Sequence, residues 1–334
     1  MGWSTADIPD LGGRTAVITG ANGGLGSETA GELARKGAHV VMAVRDLKKA
    51  SAARDSIARQ TPGASLELIA LDLGSLASVR SAATSILAAH PVIDILVNNA
   101  GVMGIPHGTT SDGIETQFGV NHLGHFALTA LLLPAVVRSD GGRIVCITSP
   151  ARLVSSAIDP DDPTMAARYD AWRSYGRSKL AMLQFAVELD RRLGAAGATA
   201  HALAADPGFS HTDLQANSAR QHRGMSQRFF AATVGLVGSS PATGALPQLR
   251  AATDPTTRGG ELYALRFVVG GSPIRNPYLS RSMGSADLER SWSAWERMTG
   301  LRFDVAQIVR TAGRASAGPT EGGSTTELGE ALVS

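Results

Sequence analysis

Several features that mark other protein classes are scarce in this chain. Only one of its 334 residues is a cysteine, Cys146, which excludes an internal disulfide framework and a cysteine-rich metal site and fits a reducing compartment. Lysine and arginine number 31 against 29 aspartates and glutamates. The chain therefore lacks the positive field with which nucleic-acid-binding proteins attract phosphates. We expect a cytoplasmic protein that does not bind nucleic acid.

Long apolar runs are also missing. The N-terminus carries no basic segment followed by an apolar run, so it does not resemble a signal peptide. The longest apolar stretch, residues 128–137, is shorter than the roughly 18–20 residues that span a bilayer and contains Pro134. We therefore expect no transmembrane segment.

What the chain does have is the composition of a folded domain. Hydrophobic residues make up 43% and charged residues 18%, which is enough to bury a sizeable core and excludes global disorder. Short, nearly continuous apolar runs alternate with longer helix-like runs. The short runs predict strands at residues 15–19, 38–44, 66–71, 93–98, 143–148, 199–205 and 261–269. The longer runs predict helices at residues 24–36, 75–89, 111–137, 171–193, 229–237, 241–252 and 286–298, with a further helix after Asp46 as its N-cap.

This alternation predicts an α/β fold. Strands that are apolar along their whole length are buried on both faces of a sheet. A helix between successive strands implies parallel strands with right-handed crossovers. We predict a single doubly wound parallel sheet with helices on both faces, formed by residues 1–270. Residues 271–310 are then a C-terminal extension with one helix, and residues 311–334, rich in Gly, Ser and Thr, a disordered tail.

A glycine-rich turn joins the first predicted strand to the first helix. It contains Gly20, Gly24 and Gly26 in the spacing G-x-x-x-G-x-G. Glycines permit a tight turn and close approach of a pyrophosphate, towards which the N-terminus of the next helix directs its free N–H groups. The turn's position favours dinucleotide binding. The alternative is an ordinary connection between a strand and a helix.

The end of the second strand bears on the choice of cofactor. Sites that prefer NAD place a carboxylate there for the ribose 2′-hydroxyl, whereas an arginine accommodates a 2′-phosphate. Here Ala43 occupies the position of the acid, and Arg45 follows it. This predicts NADP(H) rather than NAD(H), with Asn22 near the adenosine ribose. Alternatively, Arg45 is an ordinary surface residue and Asp46 only caps the next helix.

Two further motifs carry chemistry. Asn99 and Gly101 follow the fourth strand, where such sheets bind ligands. Tyr175 and Lys179 are four residues apart on a predicted helix, which places them on one face. A free tyrosine, with a pKa of about 10, is a poor base at neutral pH. A neighbouring ammonium lowers that pKa, so the pair can move a proton to or from a substrate oxygen.

These three motifs, in this order, resemble the short-chain dehydrogenase/reductase family over residues 12–270. Residues 41–46, 121–126 and 175–180 are similar to its retinol-dehydrogenase-like branch. The resemblance implies a Rossmann fold, a nicotinamide cofactor and hydride transfer at a carbonyl or alcohol carbon. It also implies an apolar small-molecule substrate, such as a retinoid, a sterol or a lipid aldehyde, and a possible homo-oligomer. Two alternatives remain: reduction of a C=C bond, and a non-catalytic NAD(P)-binding regulator.

The resemblance also implies roles for individual residues. Tyr175 is the general acid/base, and Lys179 lowers its pKa and holds the nicotinamide ribose. Ser149 binds the substrate oxygen, and Asn121 supports a proton-relay water. The residues expected to contact the cofactor are Gly20, Asn22, Gly24, Leu25, Gly26, Arg45, Asp72, Leu73, Asn99, Ala100, Gly101, Tyr175, Lys179, Pro207, Gly208 and Thr212.

The remaining reactive residue types favour structural roles. His122 and His125 have a spacing that suits a metal, but no carboxylate or cysteine completes the set, so we interpret both as helix-packing residues and predict no metal site. Cys146 lies inside a predicted core strand and is interpreted as a small buried hydrophobe. Substrate specificity is expected at residues 208–240. There Phe229 and Phe230 either line an apolar pocket or pack a lid helix.

Overall fold

Seven of the eight strands in the described residues form where the apolar runs predict them. The computed structural model describes residues 2–155, 169–209, 239–268, 270–276 and 284–316, and every structural statement refers to these. The strands are β1 (Thr15–Thr19), β2 (His39–Val44), β3 (Ser65–Ala70), β4 (Ile95–Asn98), β5 (Arg143–Ile147), β6 (His201–Asp206), β7 (Leu262–Phe267) and β8 (Gly270–Asn276).

Helices connect these strands. They are α1 (Gly24–Arg35), α2 (Leu47–Gln60), α3 (Leu76–Ala89), α4 (Thr116–Phe118), α5 (Gly124–Val136), α6 (Ala171–Ala195), α7 (Pro241–Thr253), α8 (Ser285–Thr299) and α9 (Val305–Ser316). Side-chain caps fix several starts, because the first N–H groups of a helix lack partners within it. Asp46 accepts a hydrogen bond from the backbone N–H of Lys49 at 3.1 Å, and Asp170 accepts one from Arg173 at 2.8 Å.

The sheet confirms the predicted architecture. Its order is β3-β2-β1-β4-β5-β6-β7-β8, and β1 to β7 are parallel to one another. Two buried apolar clusters lie on its two faces, one containing Val17 and Leu96, the other Ile18 and Val97. Neighbouring residues of a strand point to opposite faces, which explains this division. The strand order reverses between β1 and β4, where sheets of this kind bind ligands beyond the carboxyl ends.

The structure differs from the sequence expectation near the C-terminus. β8 pairs with β7 in antiparallel orientation, so the sheet continues past residue 270 and is not wholly parallel. Two helices, α8 and α9, follow instead of one, and α9 extends to Ser316, beyond the expected start of a disordered tail at 311. The helix expected from residue 111 begins at Thr116 and contains a π-helical turn, Gly119–Leu123. The helix expected at 229–237 lies outside the described residues.

Aromatic residues are few, but many of them meet in one place. Rings from α5, α6, α8 and the segment before α9 pack with centroids between 5.0 and 6.4 Å apart. The members of this aromatic cluster are Phe126, Phe185, Trp292, Trp295 and Phe303. The two C-terminal helices therefore complete the core on the face formed by α5 and α6.

One stretch of the described chain, Thr116–Val136, is long and apolar enough to cross a membrane. It is longer than the stretch counted from sequence, because polar residues interrupt the apolar run without ending the helix. In its most apolar window 83% of the residues are buried inside the fold. Packing against the aromatic cluster accounts for its apolar character.

Candidate active site

The carboxyl edge of the sheet brings the predicted motifs together. Thr19 ends β1, Asn98 ends β4, and Asp206 ends β6. Ser149 follows two residues after β5. Because parallel strands end at the same edge, the loops that follow these strands surround one crevice.

The glycine-rich turn forms a tight cradle beside this crevice. Gly20 has a φ of +66°, which favours glycine, and its N–H donates to the carbonyl of Ala43 at 2.8 Å. A Cβ at Gly26 would lie 2.3 Å from the carbonyl oxygen of Gly20 and 2.6 Å from Nδ2 of Asn99. The N-cap of α1 is Gly23, so no side chain of the cap residue occupies the free N–H groups at the start of this helix. The cradle therefore has no room for a side chain, and it suits a pyrophosphate group at the start of α1.

Replacing Gly26 with alanine is expected to weaken binding of a dinucleotide at this turn by at least about tenfold. The new methyl would overlap the carbonyl oxygen of Gly20 and would therefore force the turn away from α1. Titration of NADPH fluorescence measures the change. Gly31→Ala on the same helix is the matched control, because its Cβ would have Ile57 as its nearest neighbour, at 3.9 Å. If Gly26→Ala bound NADPH as tightly as Gly31→Ala, the cradle would not be the binding turn.

A buried polar network ties the β4 loop to the π-helical turn and the start of α5. The hydroxyl of Thr19 accepts hydrogen bonds from the N–H groups of Asn99 and Ala100, each at 2.9 Å. Nε2 of His125 lies 2.9 Å from this hydroxyl, and Nδ1 lies 2.9 Å from the carbonyl oxygen of Asn121. Burial lowers the pKa of His125 to about 3, so the ring is neutral. Sequence analysis did not assign Thr19 or His125 to the site.

Asn121 lies in the π-helical turn with its side chain fully engaged. Its Oδ1 accepts from the N–H of Val102 at 2.7 Å. Its Nδ2 donates to the carbonyl of Val102 and to the hydroxyl of Ser178, both at 2.9 Å. A Cβ at Gly101 would lie 3.1 Å from Oδ1 of Asn121 and 3.6 Å from Nζ of Lys179. Asn121 therefore holds the β4 loop beside the lysine, and the relay water stays a prediction.

Ser149 lies beside Tyr175 and Lys179, as the family resemblance implies, while the four-residue spacing predicted only that the tyrosine and the lysine share a helix face. The side chain of Ser149 hydrogen-bonds with that of Tyr175. Nζ of Lys179 lies 5.8 Å from the centre of the tyrosine ring and donates to the carbonyl of Ile147 at 3.1 Å. The hydroxyl of Thr148 points away and donates to the carbonyl of Lys179 at 2.7 Å. Ser149 is therefore the hydroxyl that faces Tyr175.

Burial dominates the acid–base properties of this group. It raises the pKa of Tyr175 to about 12, although the hydrogen bond from Ser149 acts in the opposite direction. Asp206 raises this pKa further, because its negative charge disfavours a phenolate. The net shift is opposite to the one expected from Lys179. Burial lowers the pKa of Lys179 itself to about 8. At neutral pH Tyr175 is therefore a phenol able to donate a proton.

A buried ion pair connects two loops of the site. Arg152 and Asp206 form a salt bridge with side chains only 5% and 4% exposed. Arg152 also donates to the carbonyl of Ser149 at 2.6 Å, and Asp206 accepts from the N–H of Gly208 at 2.9 Å. The pair thus fastens the serine turn to the turn after β6. Sequence analysis missed both residues, which lie 54 positions apart and belong to no local motif.

The other predicted cofactor contacts lie around the same edge. Arg45 is exposed directly after β2, and the carboxylate of Asp72 accepts from the N–H of Gly74 at 2.9 Å. Leu73 is buried, and Pro207 follows β6. Asn22, Gly24 and Leu25 belong to the glycine-rich turn and the start of α1. Thr212 lies outside the described residues.

Two reactive residue types take the structural roles predicted for them. His122 packs against Phe118 and Trp295, with ring centres 5.2 and 4.2 Å away. Burial holds its pKa well below the usual value. Burial also raises the pKa of the Cys146 thiol to about 12, which makes it a poor nucleophile.

Comparison with known proteins identifies the family. The family model for short chain dehydrogenases matches residues 14–223. The chain belongs to the short-chain dehydrogenase family. Human retinol dehydrogenase 13 is 44% identical over 231 residues, which are 69% of this chain and 66% of that protein. The match thus spans just under two thirds of that relative's length. Mouse polyprenol dehydrogenase is 37% identical over 302 residues, covering 88% of this chain and 86% of the relative.

Solved structures agree with this family. An uncharacterized protein from Mycobacterium paratuberculosis superposes with a TM-score of 0.74 at 39% identity, covering 91% of this chain and 99% of that one. A protein from Beutenbergia cavernae that is described as an NAD(P)-dependent gluconate 5-dehydrogenase, with NADP bound at low occupancy, has a TM-score of 0.59 at 26% identity. The superposition covers 76% of this short-chain dehydrogenase and 96% of the Beutenbergia chain.

Proposed function

We propose that this short-chain dehydrogenase transfers a hydride between NADP(H) and the carbonyl or alcohol carbon of an apolar small molecule. The observation that carries the proposal is the buried group of Ser149, Tyr175 and Lys179. It combines a hydroxyl that can bind an oxygen, a phenol that can donate a proton, and an ammonium beside that phenol. These are the elements that reduction of a carbonyl needs from the protein.

The roles of these residues follow from their positions. The nicotinamide cofactor supplies the hydride when bound. Ser149 holds the carbonyl oxygen of the substrate beside the hydroxyl of Tyr175, which donates its proton as the oxygen becomes an alcohol. Lys179, held by the carbonyl of Ile147, keeps a positive charge near the phenolate that forms. In the opposite direction the phenolate of Tyr175 accepts the alcohol proton.

Three residues at the end of β2 support NADP(H) rather than NAD(H) as the cofactor. Ala43 is buried, and its carbonyl accepts from the glycine-rich turn. Asp46 is engaged as the cap of α2, so the carboxylate nearest the strand end already has a partner. Arg45 is exposed between them. A guanidinium next to the strand end would hold a ribose 2′-phosphate.

Exposed apolar side chains support an apolar substrate. Leu153 and Val154, in the turn that follows Ser149, are 65% and 78% exposed. Phe267 and Val268 are also exposed, and the carbonyl of Val268 accepts from the N–H of Phe209 beyond the β6 turn. Apolar surface is thus concentrated on two segments near the site. The retinol and polyprenol dehydrogenases among the relatives are named for apolar alcohols.

The function is tested by following NADPH and NADH oxidation with a panel of long-chain aldehydes, sterol ketones and a conjugated enal, beside a short polar aldehyde. We expect faster turnover with NADPH, a lower KM for the apolar compounds, and an alcohol with its C=C bond intact as the product from the enal. Equal use of NADH would overturn the cofactor assignment. A saturated aldehyde would indicate a C=C reductase, and tight cofactor binding without turnover a regulator.

The reaction should depend on pH through Lys179. Below about pH 8 both Lys179 and Tyr175 carry their protons. We expect kcat/KM for carbonyl reduction to be flat from pH 6 to about 7.5 and to fall above about 8. The fall follows from loss of the ammonium that stabilises the phenolate. Alcohol oxidation should instead rise with pH. Lys179→Met should be slow at every pH and lack the change near pH 8; a wild-type profile flat to pH 10 would contradict this.

A cytoplasmic location and self-association stay predictions. Helices α8 and α9 cover the face of α5 and α6. Members of this family often associate through these two helices, of which α5 follows the turn with Asn121 and α6 carries Tyr175. A homo-oligomer of this chain would therefore use another face.

A further inference from the structure

A second group of reactive side chains meets at the opposite edge of the sheet. His39 begins β2, Glu67 lies on β3, and His90 follows α3 as its C-cap. β2 and β3 are parallel, and α3 runs back towards their amino ends. The group therefore lies about one strand length, roughly 20 Å, from the catalytic edge.

Strand register explains why these residues share a face. His39 pairs with Ser65, and Val41 pairs with Glu67. Directly paired residues project to the same face, and residues two apart on a strand do as well. This face is covered by α3, whose core residues pack with Val41. The end of α3 accordingly places His90 above Glu67.

The nitrogen and oxygen atoms of the group converge. Oε2 of Glu67 lies 2.8 Å from Nε2 of His90 and 3.4 Å from Nε2 of His39. One candidate ligand atom from each residue lies within 4.8 Å of the other two. In a tetrahedral zinc site with bonds of about 2.0–2.1 Å, neighbouring ligand atoms are about 3.3 Å apart. Side-chain rotations that move these ligand atoms by about 1 Å would bring all three to this spacing.

We propose that His39, Glu67 and His90 bind a single Zn²⁺ ion, with water as the fourth ligand. Two imidazoles and one carboxylate are ligands that zinc prefers. Nδ1 of His39 lies 2.7 Å from the hydroxyl of Ser65. Such an outer partner orients a ligating ring and leaves Nε2 for the metal. The proposal does not depend on the proposed oxidoreductase activity.

The surroundings of the group suit an ion that enters from solvent. The side chains of His39, Glu67 and His90 are 30%, 33% and 14% exposed, so an ion can reach them without unfolding. The carboxylate offsets half of the dipositive charge. The ion would join β3, the edge strand of the sheet, to β2 and to the end of α3. Its binding should therefore stabilise this edge.

Isothermal titration of untagged, chelator-treated protein with zinc chloride tests the proposal. We expect one ion per chain and, at a hundredfold excess over Kd, a melting temperature about 5 °C higher. His39→Gln, Glu67→Gln and His90→Gln should each weaken binding more than about 100-fold. Ser65→Ala should weaken it about tenfold, as an outer partner does. Co²⁺ absorption reports the geometry independently of stability.

His201→Gln provides the matched control. His201 also faces a carboxylate, with Nδ1 3.2 Å from Asp190, but within the described chain this pair has no third ligand. The control should bind zinc as the wild type does. The proposal fails if the wild type does not bind zinc at 100-fold molar excess. It also fails if Glu67→Gln binds as tightly as the wild type, or if His201→Gln weakens binding as much as His90→Gln.

Discussion

Tyr175→Phe is expected to lower kcat/KM for carbonyl reduction by about 10²- to 10⁴-fold, the usual contribution of a positioned acid. The substitution keeps the ring, which is almost wholly buried, and removes only the hydroxyl that meets Ser149. Folding and NADPH binding should therefore change little. The measurement is steady-state turnover beside a fluorescence titration of NADPH with the same protein.

Tyr263→Phe is the control for this substitution. Tyr263 is another buried tyrosine, and its hydroxyl donates to Glu261 at 2.6 Å on β7. Removal of this hydroxyl should lower the free energy of unfolding by about 1–2 kcal/mol, because one hydrogen bond is lost. Turnover should stay near the wild-type value. If Tyr175→Phe reduced every accepted substrate at the wild-type rate, the assignment of Tyr175 as the acid would be wrong.

Arg152→Met should reduce the free energy of unfolding by about 3–5 kcal/mol, because it leaves Asp206 buried without its cation. Methionine fills a similar volume, so the lost charge rather than a cavity dominates the effect. Turnover should fall as well, since Arg152 also holds the carbonyl of Ser149. Urea denaturation measures the first effect and steady-state kinetics the second.

A double substitution distinguishes the loss of the whole ion pair from the loss of one of its two charges. Arg152→Met with Asp206→Leu removes both charges, so the cost should be smaller than the sum of the two single costs. Asp287→Ala, which breaks an exposed pair with Arg290 on α8, should cost less than about 1 kcal/mol. An Arg152→Met protein as stable as Asp287→Ala would show that the buried pair does not hold the two loops together.

Local patterns predicted the elements that form by local rules. Continuous apolar runs placed β1 to β7 within about two residues. For the central strands the reason is that a strand buried on both faces needs apolar residues throughout. β8 was not predicted, because it is not a continuous apolar run. Its sequence, Gly270–Asn276, contains glycine and proline, which an antiparallel edge strand tolerates. α9 was not predicted either, although Val305, Ile308 and Ala312 are buried at helical spacing, because the glycine- and serine-rich composition beyond it resembled a tail.

The residues of the site likewise include some that the sequence predicted and others that only the fold brings together. Tyr175 and Lys179 were predictable from one helical spacing, and Ser149 from the family resemblance, which assigns the role to a serine at that strand end. The pairing of Arg152 with Asp206 was not, since it depends on two loops that only the fold brings together. His39 and Glu67 are likewise 28 residues apart and meet only through strand register. The pKa of Tyr175 also required the structure, because burial outweighs its neighbours.

The aromatic cluster has a consequence for the order of folding during synthesis. Trp292, Trp295 and Phe303 pack against Phe126 and Phe185. A ribosome makes these three rings after all eight strands. A nascent chain that already has its complete sheet therefore still exposes the apolar face of α5 and α6, and remains open to chaperones there until α8 and α9 emerge and cover it.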